Sequence, residues 1–235
     1  MDSFYQDLDN WFQTPLGHFV AQQQRQQIQS MLPQLTHARC LQIGQLGDEI
    51  LLPPTKLCQS YQVYLNQPNQ PNNQHSIPVI AEAEALPFAA EQINLCLMPH
   101  VLEFSTVPQQ VLREIDRVLV EDGYLLLTGF NPLSLWGIRR LFNNQMPFCG
   151  QFLSFFRVKD WLNLLGFEVI QSRHTVFNLP LQNKKIRQTF LFLDSLGNRW
   201  QWQSGGVYIL LARKRRYPLT PIKNTINYQP LWVQS

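Results

Sequence analysis

Short, nearly continuous apolar runs recur along this chain, and the stretches between them are helical or turn-like. This alternation constrains the fold more than any other feature. The runs are "RCLQIG" (39–44), "YQVYLN" (61–66), "IPVIAEA" (77–83), "INLCLM" (93–98) and "YLLLTGF" (124–130), followed by "FEVIQS" (167–172) and "GVYILLARK" (206–214). Strands that are apolar on both sides are buried on both sides, as in a parallel sheet covered by helices. The clearest helix is predicted over 108–120, where Val111, Leu112, Ile115, Val118 and Leu119 form one stripe and Gly123 is a stop. "DEILLP" reads as a short helix ended by Pro53-Pro54; "SLWGIRRLF" and "VKDWLNLLG" read as two more.

Residues 2–32 read as two amphipathic helices. Phe4, Leu8, Trp11 and Phe12 share one face; Leu16, Phe19 and Val20 begin the next. Thr14 is the predicted N-cap of the second and Pro15 its first residue. The glutamine-rich tract at 22–29 reads as a solvated helix face. Residues 67–76 are a Pro/Asn-rich loop, 177–205 an aromatic insertion and 217–235 a surface tail. The expected organisation is an N-terminal helical segment (1–35) packed on one domain (36–216), then the tail (217–235).

No apolar run reaches the roughly 18 residues of a membrane span, and the acidic, aromatic start is unlike a signal peptide. The expectation is a cytoplasmic protein. Cys40, Cys58, Cys96 and Cys149 lack zinc or disulfide spacing and read as small buried hydrophobes. Residues 1–100 carry 3 basic and 8 acidic side chains (net −5), and residues 101–235 carry 16 and 8 (net +8). The excess peaks at Arg213, Lys214, Arg215 and Arg216, an anion-binding patch or, as we favour, an ordinary basic surface.

Three segments together resemble a known family. These are "AEAEALPF" (81–88), "INLCL" and "LREIDRVLVEDGYLLLTG" (112–129). Leu86-Pro87-Phe88, and Leu112, Glu114, Arg117, Val118 and Leu119, match motifs of class I S-adenosylmethionine-dependent methyltransferases with a type 11 domain, similar to the ubiquinone-biosynthesis enzymes. The resemblance covers residues 38–130 well and the last two strands loosely. It implies a Rossmann-like α/β fold: a seven-stranded, mostly parallel sheet with helices on both faces and an antiparallel last strand. It also implies S-adenosyl-L-methionine as cofactor, a small-molecule methyl acceptor and no metal.

The implied cofactor residues are Gly44, Gly47, Asn66, Glu82 and Ala83. In "CLQIGQLGDE", Gly44 falls on the family's first loop glycine, Leu46 and Asp48 on the next two, and Gln42 on a preceding acid. A bulky Leu46 is expected to narrow the cofactor space. Asn66 stands where relatives place an acid on the ribose hydroxyls, and neutral hydrogen bonds are weaker than charge-assisted ones. Glu82 matches the acid near the adenine, with the Ala83 N–H beside it; the alternative for Glu82 is a solvated loop end.

His100, after the fourth strand, is a candidate base or substrate contact, or a structural histidine. Asn131 reads as the cap of the following helix. Trp136, Phe142, Phe148, Phe152, Phe155 and Phe156 are divided between core and a pocket for an apolar acceptor. A methyltransferase fold that no longer holds cofactor productively is the second reading. A nucleic-acid methyltransferase is the third; "GFNPLS" resembles the Asn-Pro-Pro-aromatic motif only in part, and no nucleic-acid module supports it.

Overall fold

The computed structural model describes residues 2–47, 51–52, 58–66, 76–177 and 204–215. The elements are α1 (Asp2–Phe12), α2 (Pro15–Met31), β1 (Arg39–Ile43), β2 (Gln59–Tyr64), β3 (Ile77–Ile80), β4 (Ile93–Pro99), α3 (Pro108–Val118), β5 (Leu119–Phe130), α4 (Leu135–Arg140), α5 (Phe155–Leu164), β6 (Phe167–Thr175) and β7 (Val207–Lys214). The seven strands form one sheet in the order β3-β2-β1-β4-β5-β7-β6. Neighbours from β3 through β5 run parallel, and β7 is antiparallel to both β5 and β6. This is the expected Rossmann-like architecture.

Strand order reverses between β1 and β4. Ligands of open α/β sheets bind in the crevice such a reversal opens at the carboxyl ends of the strands. Because successive side chains point to opposite faces, β4 feeds both layers. Leu95 and Leu97 join α1, α2 and the aromatics around Trp136; Cys96 and Met98 join α3 and α5.

The Thr14 hydroxyl accepts from the Gly17 N–H at 3.1 Å and donates to the Trp11 carbonyl at 2.7 Å, so one side chain joins the end of α1 to the start of α2. A Cβ built on Gly17 would lie 2.2 Å from the Trp11 carbonyl oxygen. The two helices meet there in a way that only glycine allows. The polar tract of α2 is not wholly solvated. Gln24 continues the buried stripe of Gly17, Val20, Ala21, Ile28 and Met31.

The third helix stops at Val118, ahead of its expected Gly123 stop, and Leu119 is already extended. Two residues of β4 span the same ladder length as five of β5, Ile93 pairing Leu119 and Leu95 pairing Tyr124. Gly123 and Asp122, at φ +62°, belong to that irregularity. Most of the "DEILLP" helix, the 67–76 loop, the aromatic insertion and the tail lie outside the described residues; Leu51 and Leu52 are described and buried.

Candidate functional site

The opening loop leaves β1 at Gly44, whose φ is +74°, and a Cβ there would come within 3.2 Å of Val101 Cγ2. The conformation therefore demands glycine, and an added Cβ would press on the Val101 side chain. The Gln42 amide donates to the Gly44 carbonyl at 3.2 Å, and the Gln62 amide donates to the same oxygen at 2.7 Å. This accounts for Gln42 where the family pattern has an acid: an ionised carboxylate has no proton to donate. Leu46 corrects an expectation. It is fully buried in the cluster containing Trp11, Phe12 and Val20, and it does not line the crevice. Gly47, at φ +59°, lies against Phe12.

Gly44, Gln45, Leu65, Asn66, His100 and Val101 line the reversal crevice from the sheet side. Tyr5, Leu8 and Asp9 of α1 line it from above, leaving a cavity of about 10 Å3, on the order of one water. Asp9 and Asn66 line the crevice together. Burial pushes the Asp9 carboxyl up to about 6, against the lowering effect of Asn66. A carboxyl raised on folding stabilises the docked helix fully below its unfolded value near 4, and that contribution is lost as pH rises through about 6. No lysine or arginine is among the lining residues, and burial together with nearby Glu84 and Glu103 pushes the Tyr5 hydroxyl well up.

His100 is fully buried at φ +51°. Its Nδ1 lies 3.1 Å from Glu103 Oε1 and its Nε2 lies 3.0 Å from Gln24 Oε1. Phe130 packs on it at a tilt with ring centroids 4.2 Å apart, and Phe12 approaches to 5.8 Å. Glu103 Oε1 also accepts from the Phe130 N–H at 2.6 Å. Glu103 Oε2 and Gln24 Nε2 are buried with no hydrogen-bond partner among the described residues. The chain reading missed Asp9, Gln24 and Glu103. For Gln24 a signal existed: it lies four residues from both Val20 and Ile28, on the apolar stripe.

The two motifs that carry the resemblance form one clamp. Arg117 donates to the Leu86 carbonyl at 3.1 Å, to the Phe88 carbonyl at 2.9 Å and to Glu114 at 2.6 Å. Glu114 accepts the Leu86 N–H at 2.8 Å. The clamp fixes the loop after β3. In that loop Ala83 is buried and Glu82 is exposed, and neither lines the crevice. The hydrogen bond from Arg117 holds the Glu114 carboxyl below its usual range. A lowered carboxyl gives stability above its unfolded value and loses it as pH falls through the folded one. Glu114→Gln is expected to cost about 1.5–3 kcal/mol at pH 7 and to flatten the loss of stability between pH 5 and 3. Urea unfolding across that range measures both; a parallel pH dependence in variant and parent would refute the clamp's role.

Past β5, Asn131 does not cap α4. Ser134 does, accepting from the Gly137 N–H, while Asn131 accepts from the Leu133 N–H and donates to the Gly205 carbonyl. Trp136, Phe148 and Phe152 are core; Phe142 is 85% exposed and Phe156 55%. Pro132, Leu133, Leu135, Ile138 and Phe177 line an apolar cleft of about 510 Å3. The basic run is largely paired: Arg213 with Asp122 at 2.9 Å, Lys214 with Asp116 at 3.2 Å and Arg215 with Glu168 at 3.4 Å. Arg216 lies outside the described residues. Among those residues no group of His, Cys, Asp and Glu is arranged to hold a metal.

Comparison with known proteins places this geometry. A family profile described as a methyltransferase domain matches residues 58–127. The uncharacterized protein YafS of Escherichia coli is 32% identical over 225 residues, covering 93% of this chain and 87% of that one. A Thermotoga maritima crystal structure described as a S-adenosylmethionine-dependent methyltransferase, possible histamine N-methyltransferase, superposes with a TM-score of 0.69 at 19% identity, over 90% of this chain and all of that one. A putative methyltransferase of Bacillus halodurans superposes at 0.60 with 14% identity, over 82% and 99%. The chain belongs to one family with YafS and carries a class I S-adenosylmethionine-dependent methyltransferase domain, whose cofactor is S-adenosylmethionine. The residues at the crevice fit that cofactor in kind. They offer a glycine turn for close backbone approach, amide and carboxyl groups for hydroxyls, and a setting that favours a cation. The space is taken by Tyr5 and Leu8, so a ligand would enter only with the first turns of α1 lifted.

Proposed function

We propose that the protein is a cytoplasmic methyltransferase that uses S-adenosylmethionine to methylate a small molecule. The observation that carries this reading is the Gly44 turn at the sheet's reversal point, with Asn66 and Asp9 in the same crevice and no basic residue lining it. The bound cofactor supplies an activated methyl group. The chain supplies position and exclusion of water. Gly44 admits the ligand close to the backbone, and Asn66 offers hydrogen bonds at the end of β2. Gly47, Glu82 and Ala83, on the loops after β1 and β3, are further cofactor contacts in this reading.

In this reading His100 is a structural pin, because both ring nitrogens are occupied by Gln24 and Glu103. The cleft past β5 suits an apolar portion of the acceptor. A small acceptor accords with the Thermotoga maritima neighbour described as a possible histamine N-methyltransferase. The paired state of Arg213 to Arg215 argues against a nucleic-acid acceptor.

One observation favours a second reading, a non-catalytic binding protein: α1 nearly fills the crevice. Calorimetric titration with S-adenosylmethionine and S-adenosylhomocysteine separates the two. A dissociation constant in the micromolar range, about −8 kcal/mol, is expected. No heat and no thermal shift at millimolar ligand would favour the second reading.

A further inference from the structure

The end of β2 is where sheets of this kind place a carboxylate on an adenosyl ribose, and a carboxylate suits that task because it accepts from both hydroxyls. Here that position holds Asn66, an amide, so the crevice wall lacks a charge where the ligand presents two donors. The structure brings one from elsewhere. Asp9 reaches down from α1 into the same crevice that Asn66 lines. Gly44, the point of closest backbone approach, lines that crevice too.

We propose that Asp9, carried by the N-terminal helix, supplies the ribose-binding carboxylate of this methyltransferase, with Asn66 as its positioning partner. The inference rests on the cofactor-binding reading above and assigns a residue within that site. It gives α1 a second task beyond covering the crevice. When its first turns lift to admit ligand and settle again, they return an acceptor to the ribose edge. The Asp9 carboxylate lines the crevice, where a ligand's hydroxyls would meet it. It is half-buried, and burial raises its pKa against the pull of the Asn66 amide, so the ionised form gains from two further donors.

The test is calorimetry on the full chain at pH 7.5, with S-adenosylhomocysteine, adenosine and 2′,3′-dideoxyadenosine as probes. Asp9→Ala and Asp9→Asn are each expected to weaken S-adenosylhomocysteine binding by about 10- to 100-fold, the effect of losing a charge-assisted acceptor. The native chain should prefer adenosine to the dideoxy compound, and Asp9→Ala should erase that preference. The exchange Asp9→Asn with Asn66→Asp keeps one carboxylate and one amide in the pair, and should restore most of the affinity. Melting temperatures of the near-isosteric Asp9→Asn protein control for folding. Unchanged affinity in the Asp9 variants overturns the assignment. Tighter binding overturns it as well, since Asp9 would then be a plug that the ligand must displace. If the native chain binds none of the probes, the methyltransferase reading fails first and this inference with it.

Discussion

Replacing His100 with alanine is expected to cost about 3–5 kcal/mol of folding stability. The ring is fully buried, packed against Phe130 and approached by Phe12. It joins three elements: Gln24 on α2, the end of β4, and Glu103, which itself holds the start of the turn after β5 through the Phe130 N–H. Truncation leaves a void among aromatics. It also strands Glu103, whose side chain is 1% exposed and whose Oε2 already has no partner among the described residues. Urea unfolding should show a lower midpoint with an unchanged slope. A midpoint that does not move would show that the ring is idle and return His100 to the list of candidate bases.

The second large effect is expected from removing residues 1–32. The helices would extend the core, or they would form a detachable cover, and the packing decides for the core. Trp11, Phe12, Leu16, Val20, Ile28 and Met31 are all buried against the face that presents Leu95, Leu97, Leu126, Val207, Ile209 and Leu211. At about 1.5–3 kcal/mol for each large side chain, their burial rivals the roughly 5–15 kcal/mol that holds a whole domain together. The truncated chain should keep much of its far-ultraviolet signal, lose its near-ultraviolet signal and bind a hydrophobic dye. A sharp calorimetric transition in the truncated protein would contradict this. The beginning of α1, where Phe4 is 47% exposed, is less anchored than Leu8, which lines the crevice and belongs to that buried cluster.

The sheet and its covering helices were legible because their signals are local: apolar runs, a 3.6-residue stripe, and cap residues such as Thr14. The family motifs were legible for the same reason, and their physical role is the clamp between α3 and the loop after β3. The contents of the crevice were not legible. The stripe Phe4, Leu8, Trp11 and Phe12 identifies an apolar face but not what it covers, because that contact spans most of a hundred residues of chain. Tyr5 with Val101 shows the distance involved. The same holds for Gln24 and His100, which are 76 positions apart. In the glycine loop, Gln42 reads as a lost acid when taken alone. Its partnership with Gln62 on one carbonyl oxygen shows that the turn is held from beneath by neutral donors.

The near-full crevice also has a kinetic meaning. A ligand that must wait for two turns of helix to lift does not bind at the rate at which it collides with the protein. Its entry depends on how often the occupied geometry gives way. Under rapid mixing, the association rate would climb with ligand concentration and then level off at the rate of helix opening. Speed and tightness would thus be written in different places: the plateau in the side chains of α1 that fill the space, and the final affinity in the turn at Gly44 and the groups around it.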